Sequence, residues 1–365
     1  MRYPTDISMT DCSQAFAERI ADARAASKPL YIQAGNSKRL WLGRTPEGET
    51  LDVSSHTGIV DYQPSELVIT ARAGTTIAEI DAATAKENQY LACEPPRLSD
   101  RATLGGSLAC NLSGPGRLWA GALRDHVLGV QLINGKAECL NFGGQVMKNV
   151  AGYDVSRLQA GALGTLGLIT QVSMKVLPKP EATTTLCFEL NAADALQQMQ
   201  MRAMEPRPLS GAAWLNGVMF LRLSGAEAAV RHTEKLWGGE RDDEHSIWLD
   251  LQELSFLSTY TDDTSAVTHC APVFRQSVAP TAPLADMPPL MLNWAGAQRW
   301  YEGDCSALQT NTASGGGHLQ CFSGGNRSQE MAPALDSTQQ TLHRRVKAAI
   351  DPDGILNPGR LYSWL

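Results

Sequence analysis

Between Pro95 and Gly167 the chain is dense in glycine, with only short apolar runs between the glycines. Without a Cβ, a backbone can turn with positive φ and approach a ligand closely. Successive exposed N–H groups then form a concave nest for an anion. Residues 102–114, Ala-Thr-Leu-Gly-Gly-Ser-Leu-Ala-Cys-Asn-Leu-Ser-Gly, supply such turns with hydroxyl and amide donors interleaved. Residues 161–167, Gly-Ala-Leu-Gly-Thr-Leu-Gly, repeat the texture just before a strand-like run. The plain alternative is that these glycines are tight turns of a loop-rich fold. The familiar nucleotide motifs do not decide the matter, because the chain has neither a G-x-G-x-x-G nor a G-x-x-x-x-G-K-[ST].

A length of 365 residues suits two domains better than one. Helix-like apolar spacing over residues 11–26 precedes short strands at 30–32, 51–53 and 66–71. Thr75 is the expected N-cap of a helix through Ile77, Ile80 and Ala83. Residues 167–177 read as a long strand, and Pro178 and Pro180 then punctuate the chain. Beyond them come a strand at 183–190, a helix at 192–204, a hairpin at 214–223 turning on Asn216-Gly217, a helix at 226–237, a proline-rich loop at 280–289 and a last helix at 338–350. The expected fold class is α+β, divided into a first domain at 1–180, a smaller antiparallel domain at 181–325 and a C-terminal helix and tail at 326–365.

Composition narrows function. Charged residues make up 19% of the chain and the net charge is −7, with no long basic block; a nucleic-acid partner, which needs clustered Lys and Arg, is not expected. The N-terminus lacks the pattern of a secretory signal, and no run of about 18 apolar residues occurs. The eight cysteines include no C-x-x-C pair, so neither zinc nor an iron–sulfur cluster is expected in this chain. The thiols read as reduced and mostly buried, which implies a cytoplasmic setting.

Several segments, in order, carry a resemblance. Residues 30–38 (Leu-Tyr-Ile-Gln-Ala-Gly-Asn-Ser-Lys), 93–96 (Cys-Glu-Pro-Pro), 102–106, 124–129 (Arg-Asp-His-Val-Leu-Gly), 161–170 and the terminal Asn357-Pro358-Gly359 resemble FAD-binding proteins of the vanillyl-alcohol oxidase, or PCMH, type. Within that family the wording at 36–38, 93–96, 146–154 and 315–318 is most similar to the FAD-binding subunits of bacterial glycolate oxidases. The resemblance implies a two-lobed FAD domain with an α+β cap containing an antiparallel sheet. It implies FAD held by Gly35, Asn36, Ser37, Lys38, Pro95, Thr103, Gly105, Gly106, Asn111, Gly114, Gly164, Thr165, Gly167, Ile169 and Asn357. Because Ala34, Gly35 and Asn36 stand where some members carry a flavin-bonded His, noncovalent attachment is expected.

The resemblance also implies partners: a larger paralogous flavoprotein and an iron–sulfur subunit, passing electrons from glycolate toward a membrane acceptor. The complex would sit at the inner face of the cell membrane through those partners. Oxidising a 2-hydroxy acid needs a carboxylate clamp, a base and a hydride acceptor. The candidates are His318, after Gly315-Gly316-Gly317, as base or polariser, with Arg275 and Arg360 as clamps. Each has an ordinary structural alternative. No metal site is expected, since the nearest two His, 232 and 245, stand 13 apart and Asp242-Asp243-Glu244-His245 reads as a solvated turn. Two other readings stay open: a self-sufficient D-2-hydroxy-acid dehydrogenase, and an assembly subunit whose FAD is structural.

Overall fold

The computed structural model describes residues 11–45, 47–144, 154–242, 246–257, 271–304 and 306–365. Most of the run 146–154, residues 243–245, Cys270 and Cys305 lie outside them. The chain forms two compact units: Met1–Leu112, Ala122–Pro178 and Arg327–Leu365 make the first, and Ser113–Gly121 with Lys179–Asn326 the second.

In the first unit, β1 (Leu30–Gln33) and β2 (Glu49–Asp52) pair in parallel. Strands β3 (Ile59–Gln63) and β4 (Val68–Arg72) begin a five-stranded antiparallel sheet. After the short β5 (Gln89–Tyr90) come β6 (Val127–Ile133), β7 (Cys139–Gly143) and β8 (Leu168–Lys175), in the order β3-β4-β8-β6-β7. The short β9 (Leu177–Pro178) pairs with β5. Central β8 is buried almost throughout, because residues from both its faces enter packed clusters. Val172 and Met174 meet Ile77, Ile80, Leu104 and Leu108 from two helices. Leu168 joins Phe16, Ile20, Leu30 and Leu356.

The helix expected after Thr75 starts one residue later. Thr76 caps Ile77–Ala85 in a reciprocal box with Glu79, while the Thr75 hydroxyl is spent on the Gly58 backbone. The thiols also depart from expectation. Of the six described, Cys93 is buried, Cys139 is exposed and the rest lie between, because Cys139 opens edge strand β7.

The second unit is an eight-stranded antiparallel sheet. Its strands are β10 (Ala182–Glu189), β11 (Leu209–Leu215), β12 (Val218–Gly225), β13 (Glu240–Arg241), β14 (Val273–Ser277), β15 (Met291–Asn293), β16 (Gln298–Glu302) and β17 (His318–Ser323). They lie in the order β13-β10-β12-β11-β15-β16-β14-β17. Helices Ala192–Ala203 and Glu227–Trp237 press Leu196, Met199, Val230 and Trp237 onto Leu186, Leu221 and Leu223. Asn216 (φ 50°) and Gly217 (φ 86°) make the two-residue turn that sets the β11–β12 register, Leu215 opposite Val218.

The aromatic stretch 294–301 divides between a turn and β16. Trp294 and Ala295 take φ of 53° and 52°, folding the chain between β15 and β16. Buried Arg299 stabilises the neighbouring proline-rich loop by donating to the carbonyls of Ala282 (2.5 Å), Pro283 (2.7 Å) and Gly296 (2.9 Å).

Candidate cofactor cleft and candidate substrate face

A cleft with about 800 Å³ of empty space, counting that open to solvent, lies in the first unit. One wall is the turn after β1, which carries Ala34 to Arg39; a second is the helix Leu104–Cys110; a third is the loop before β8. Gly35 is required by close approach: a Cβ there would meet the Arg101 carbonyl oxygen at 1.7 Å. Gly164 is left-handed at φ 75°, and a Cβ would meet the Asn357 amide nitrogen at 2.6 Å.

Asn357 locks that corner. Its Oδ1 accepts from Ile32 N–H at 2.7 Å and its Nδ2 donates to the Leu163 carbonyl at 2.7 Å. Thr165 turns away from the cleft, with its hydroxyl donating to Ala162 O at 2.7 Å. Its carbonyl accepts from buried Lys347, whose ammonium is pushed down in pKa by desolvation and drawn back up by Asp351.

The electrostatics are one-signed. Lys38, Arg39 and Arg360 line the cleft, and among the described residues no carboxylate does. Lys38 is only 7% exposed and donates to Ser37 Oγ at 3.3 Å. Arg360 is 6% exposed; it donates to the carbonyls of Arg44 and, at 3.3 Å, Arg39. Burial pushes its guanidinium pKa below the ordinary value. Burial likewise raises the Tyr31 phenol, against the opposing pull of Arg360 and Arg39, and the Cys110 thiol, against Lys38 and Arg360. A low-dielectric recess with three cations is suited to a diphosphate. A Cβ on Gly106 would meet only Thr103 Oγ1, at 3.1 Å, so the space above that backbone is left to a ligand. These residues fit FAD.

Of the residues expected to hold the cofactor, Gly35, Asn36, Ser37, Lys38, Thr103, Gly105, Gly106, Gly164, Gly167, Ile169 and Asn357 line this cleft. Pro95, Asn111, Gly114 and Thr165 do not. Asn111 ends the helix at φ 50°, and its buried Oδ1 has no hydrogen-bond partner among the described residues. Gly114 belongs to the second unit, where its carbonyl accepts from Trp294 Nε1 at 2.9 Å. Tyr31, Arg39 and Cys110 line the cleft without having been singled out, and their only signal was proximity to the glycine segments.

Arg360, a candidate clamp, stands in this cofactor cleft. Arg275 and His318 stand together in the second unit. Arg275 pairs with Gln320 across β14 and β17, and Ser277 with His318; alternation along a strand puts Arg275, Gln320 and His318 on one face. The Arg275 guanidinium donates to Gln320 Oε1 at 2.7 Å and lies 5.4 Å from the Phe322 ring centroid. Burial, with the nearby charge of Arg117, lowers its pKa to about 10. His318 is exposed on this edge strand. No group of three His, Cys, Asp or Glu placed to hold a metal occurs among the described residues.

The chain is similar to known proteins in sequence and in fold. A sequence profile for the FAD binding domain matches residues 10–143, and one for the C-terminal domain of FAD linked oxidases matches residues 323–361. The chain is 41% identical over 360 residues to glycolate oxidase subunit GlcE of Escherichia coli (strain K12), covering 97% of this chain and 99% of that one. Glycolate oxidase subunit GlcD of Bacillus subtilis (strain 168) is 32% identical over 170 residues, 46% of this chain and 36% of its own. In fold, alkyldihydroxyacetonephosphate synthase superposes with a TM-score of 0.62 at 15% identity, over 94% of this chain and 73% of that one. The chain therefore belongs to the PCMH-type FAD-linked oxidase family, in the branch that holds glycolate oxidase subunit GlcE. It is a flavoprotein of the oxidoreductase kind, and FAD is its cofactor. Among the described residues no helix is long and apolar enough to cross a membrane.

Proposed function

We propose that this chain is the FAD-bearing subunit of a glycolate oxidase complex, which oxidises glycolate to glyoxylate. In that complex it works beside a larger paralogous flavoprotein and an iron–sulfur subunit that carries electrons to a membrane acceptor. The observation that carries the reading is the carboxylate-free cleft with Lys38, Arg39 and Arg360, in a chain alike to GlcE over almost its whole length. FAD, when bound, supplies the hydride acceptor. Gly35 to Lys38 and Thr103 to Gly106 would receive its diphosphate noncovalently, and Asn357 ties β1 to the loop before β8.

Arg275 holds the substrate carboxylate. A desolvated guanidinium with a second arginine nearby gains most from an anion, and Gln320 aims it. His318, on the same face, takes the hydroxyl proton. The test is the purified chain with FAD, glycolate and a dye acceptor, alone and together with its partner subunits. We expect a yellow protein that glycolate bleaches only in the complex. Bleaching of the isolated chain would make it a self-sufficient 2-hydroxy-acid dehydrogenase. A complex inert to glycolate, or a chain that stays colourless with FAD, would overturn the reading. A second reading, an assembly subunit with structural FAD, is favoured by Arg360, whose guanidinium is committed to two backbone carbonyls. Arg275→Met in the intact complex separates the two: the clamp predicts a raised KM for glycolate, the assembly role an unchanged one.

A further inference from the structure

The loop that forms one wall of the cleft is folded against backbone preference. Gly161, Leu163, Gly164 and Gly167 hold φ of 84°, 52°, 75° and 131°. A left-handed conformation is disfavoured for Leu, and it persists only where its surroundings over-determine it. Part of that determination comes from 182 residues away. Lys347 Nζ donates to Thr165 O at 2.8 Å, to Leu356 O at 2.8 Å and to Asp351 Oδ2 at 2.7 Å. All three protons of one ammonium are thereby used. Asp351 in turn accepts from Ile355 N–H at 3.2 Å and Leu356 N–H at 2.8 Å.

Lys347 is 7% exposed and Asp351 1%. A buried ion pair is a weak source of stability, since its desolvation offsets its attraction. What this pair supplies is a three-point geometry. Thr165 lies in the strained loop between Gly164 and Gly167. Leu356 precedes Asn357, whose amide spans Ile32 and Leu163. The pair thus holds Thr165 and Leu356, which do not line the cleft themselves but adjoin Gly164 and Asn357, which do; Lys347 and Asp351 do not line it.

We propose that Lys347 and Asp351 are positioning residues for FAD: a buried strut that presets loop 161–167 and Asn357 to receive the cofactor. The inference rests on this cleft being the FAD site. Two variants of the full chain, Lys347→Met and Asp351→Asn, are titrated with FAD by flavin fluorescence, with far-UV circular dichroism to check the fold and visible circular dichroism to read the bound flavin. We expect Lys347→Met to bind FAD at least tenfold more weakly with an altered flavin band. Asp351→Asn, which keeps an acceptor for the ammonium, should lose less.

Hydrogen exchange on the unaltered chain tests the same coupling without a variant, because linkage is reciprocal. FAD should slow exchange at the Asp351 and Leu356 amides as well as at the cleft. A folded Lys347→Met that binds within twofold of the parent with the same flavin band would overturn the strut, as would protection confined to cleft-lining residues. Should Lys347→Met fail to fold, Asp351→Asn and the exchange measurement decide. A parent chain that takes no FAD defeats the cleft assignment itself, an outcome distinct from failure of the strut.

Discussion

The two units reach order by different means. In the second, two pairs of sheet neighbours, β11–β12 and β15–β16, are also neighbours in sequence: β11 and β12 join through Asn216-Gly217, and their inward residues fill one apolar cluster with the two helices. In the first, the decisive contacts run between distant segments and end on backbone atoms, as with Asn357 on Ile32 and Leu163, Lys347 on Thr165, and Arg44 on Gly359 at 3.0 Å. A hairpin sheet tolerates local change through repacking, whereas a cleft of left-handed turns depends on a few side chains that replace water at buried carbonyls. Stability and cofactor affinity should therefore separate by unit.

The largest expected stability loss is Leu221→Ala, in the fully buried cluster of the second unit, at about 3 kcal/mol. Urea melts check it, and the comparison breaks if FAD affinity falls by more than twofold as well. Asn357→Ala should cost about 2 kcal/mol by leaving an N–H and a carbonyl unpaired. Unlike Leu221→Ala, it should also weaken FAD binding about tenfold, or 1.4 kcal/mol; an unchanged flavin titration would show that the clamp does not shape the cleft. Gly217→Ala, at φ 86°, should cost about 1 kcal/mol and leave FAD binding alone.

The smallest effect is a pH dependence within the first unit. The buried ring of His56 accepts from Cys12 N–H at 3.0 Å, and Nε2 donates to Thr170 O at 3.0 Å, so both nitrogens of a neutral ring are used. Desolvation lowers its pKa, with Asp11 opposing and Arg72 assisting. The unfolded chain takes up a proton near 6.5 that the folded chain resists, so stability falls as pH drops through that value. His56→Gln should flatten this slope in urea melts run at stepped pH. Asp11, lowered to about 2 chiefly by the Ser13 hydrogen bonds, adds stability above its ordinary 3.8 that is lost as pH falls through about 2.

Legibility in the sequence followed the same division. The turn of the 214–223 hairpin and the 192–204 helix were readable because turn chemistry and periodicity are local; the helix ends one residue early at Ala203, while the hairpin is longer than expected, from Leu209 to Gly225. The cleft was readable through Gly35 to Lys38 and Thr103 to Gly106, where short wording marks close backbone approach. Thr165 and Asn111 look like phosphate donors on paper. One proves to be spent on the Ala162 carbonyl and the other to end its own helix, both local backbone roles that compete with a ligand for the same residue types. Lys347 read only as a residue of the last helix, and nothing near it in sequence signals burial. Arg299 was equally opaque, because its partners are carbonyls of a proline loop that carry no side-chain signature.

The parallel bridge of Leu30 to Leu356 has a temporal meaning. A ribosome delivers β1 early and Asn357 more than three hundred residues later. Throughout that interval the strained loop lacks its clamp, and the second unit, made of a nearly continuous stretch, has already emerged. The wall of the cleft that Asn357 ties to Ile32 and Leu163 is thus completed only when that segment arrives.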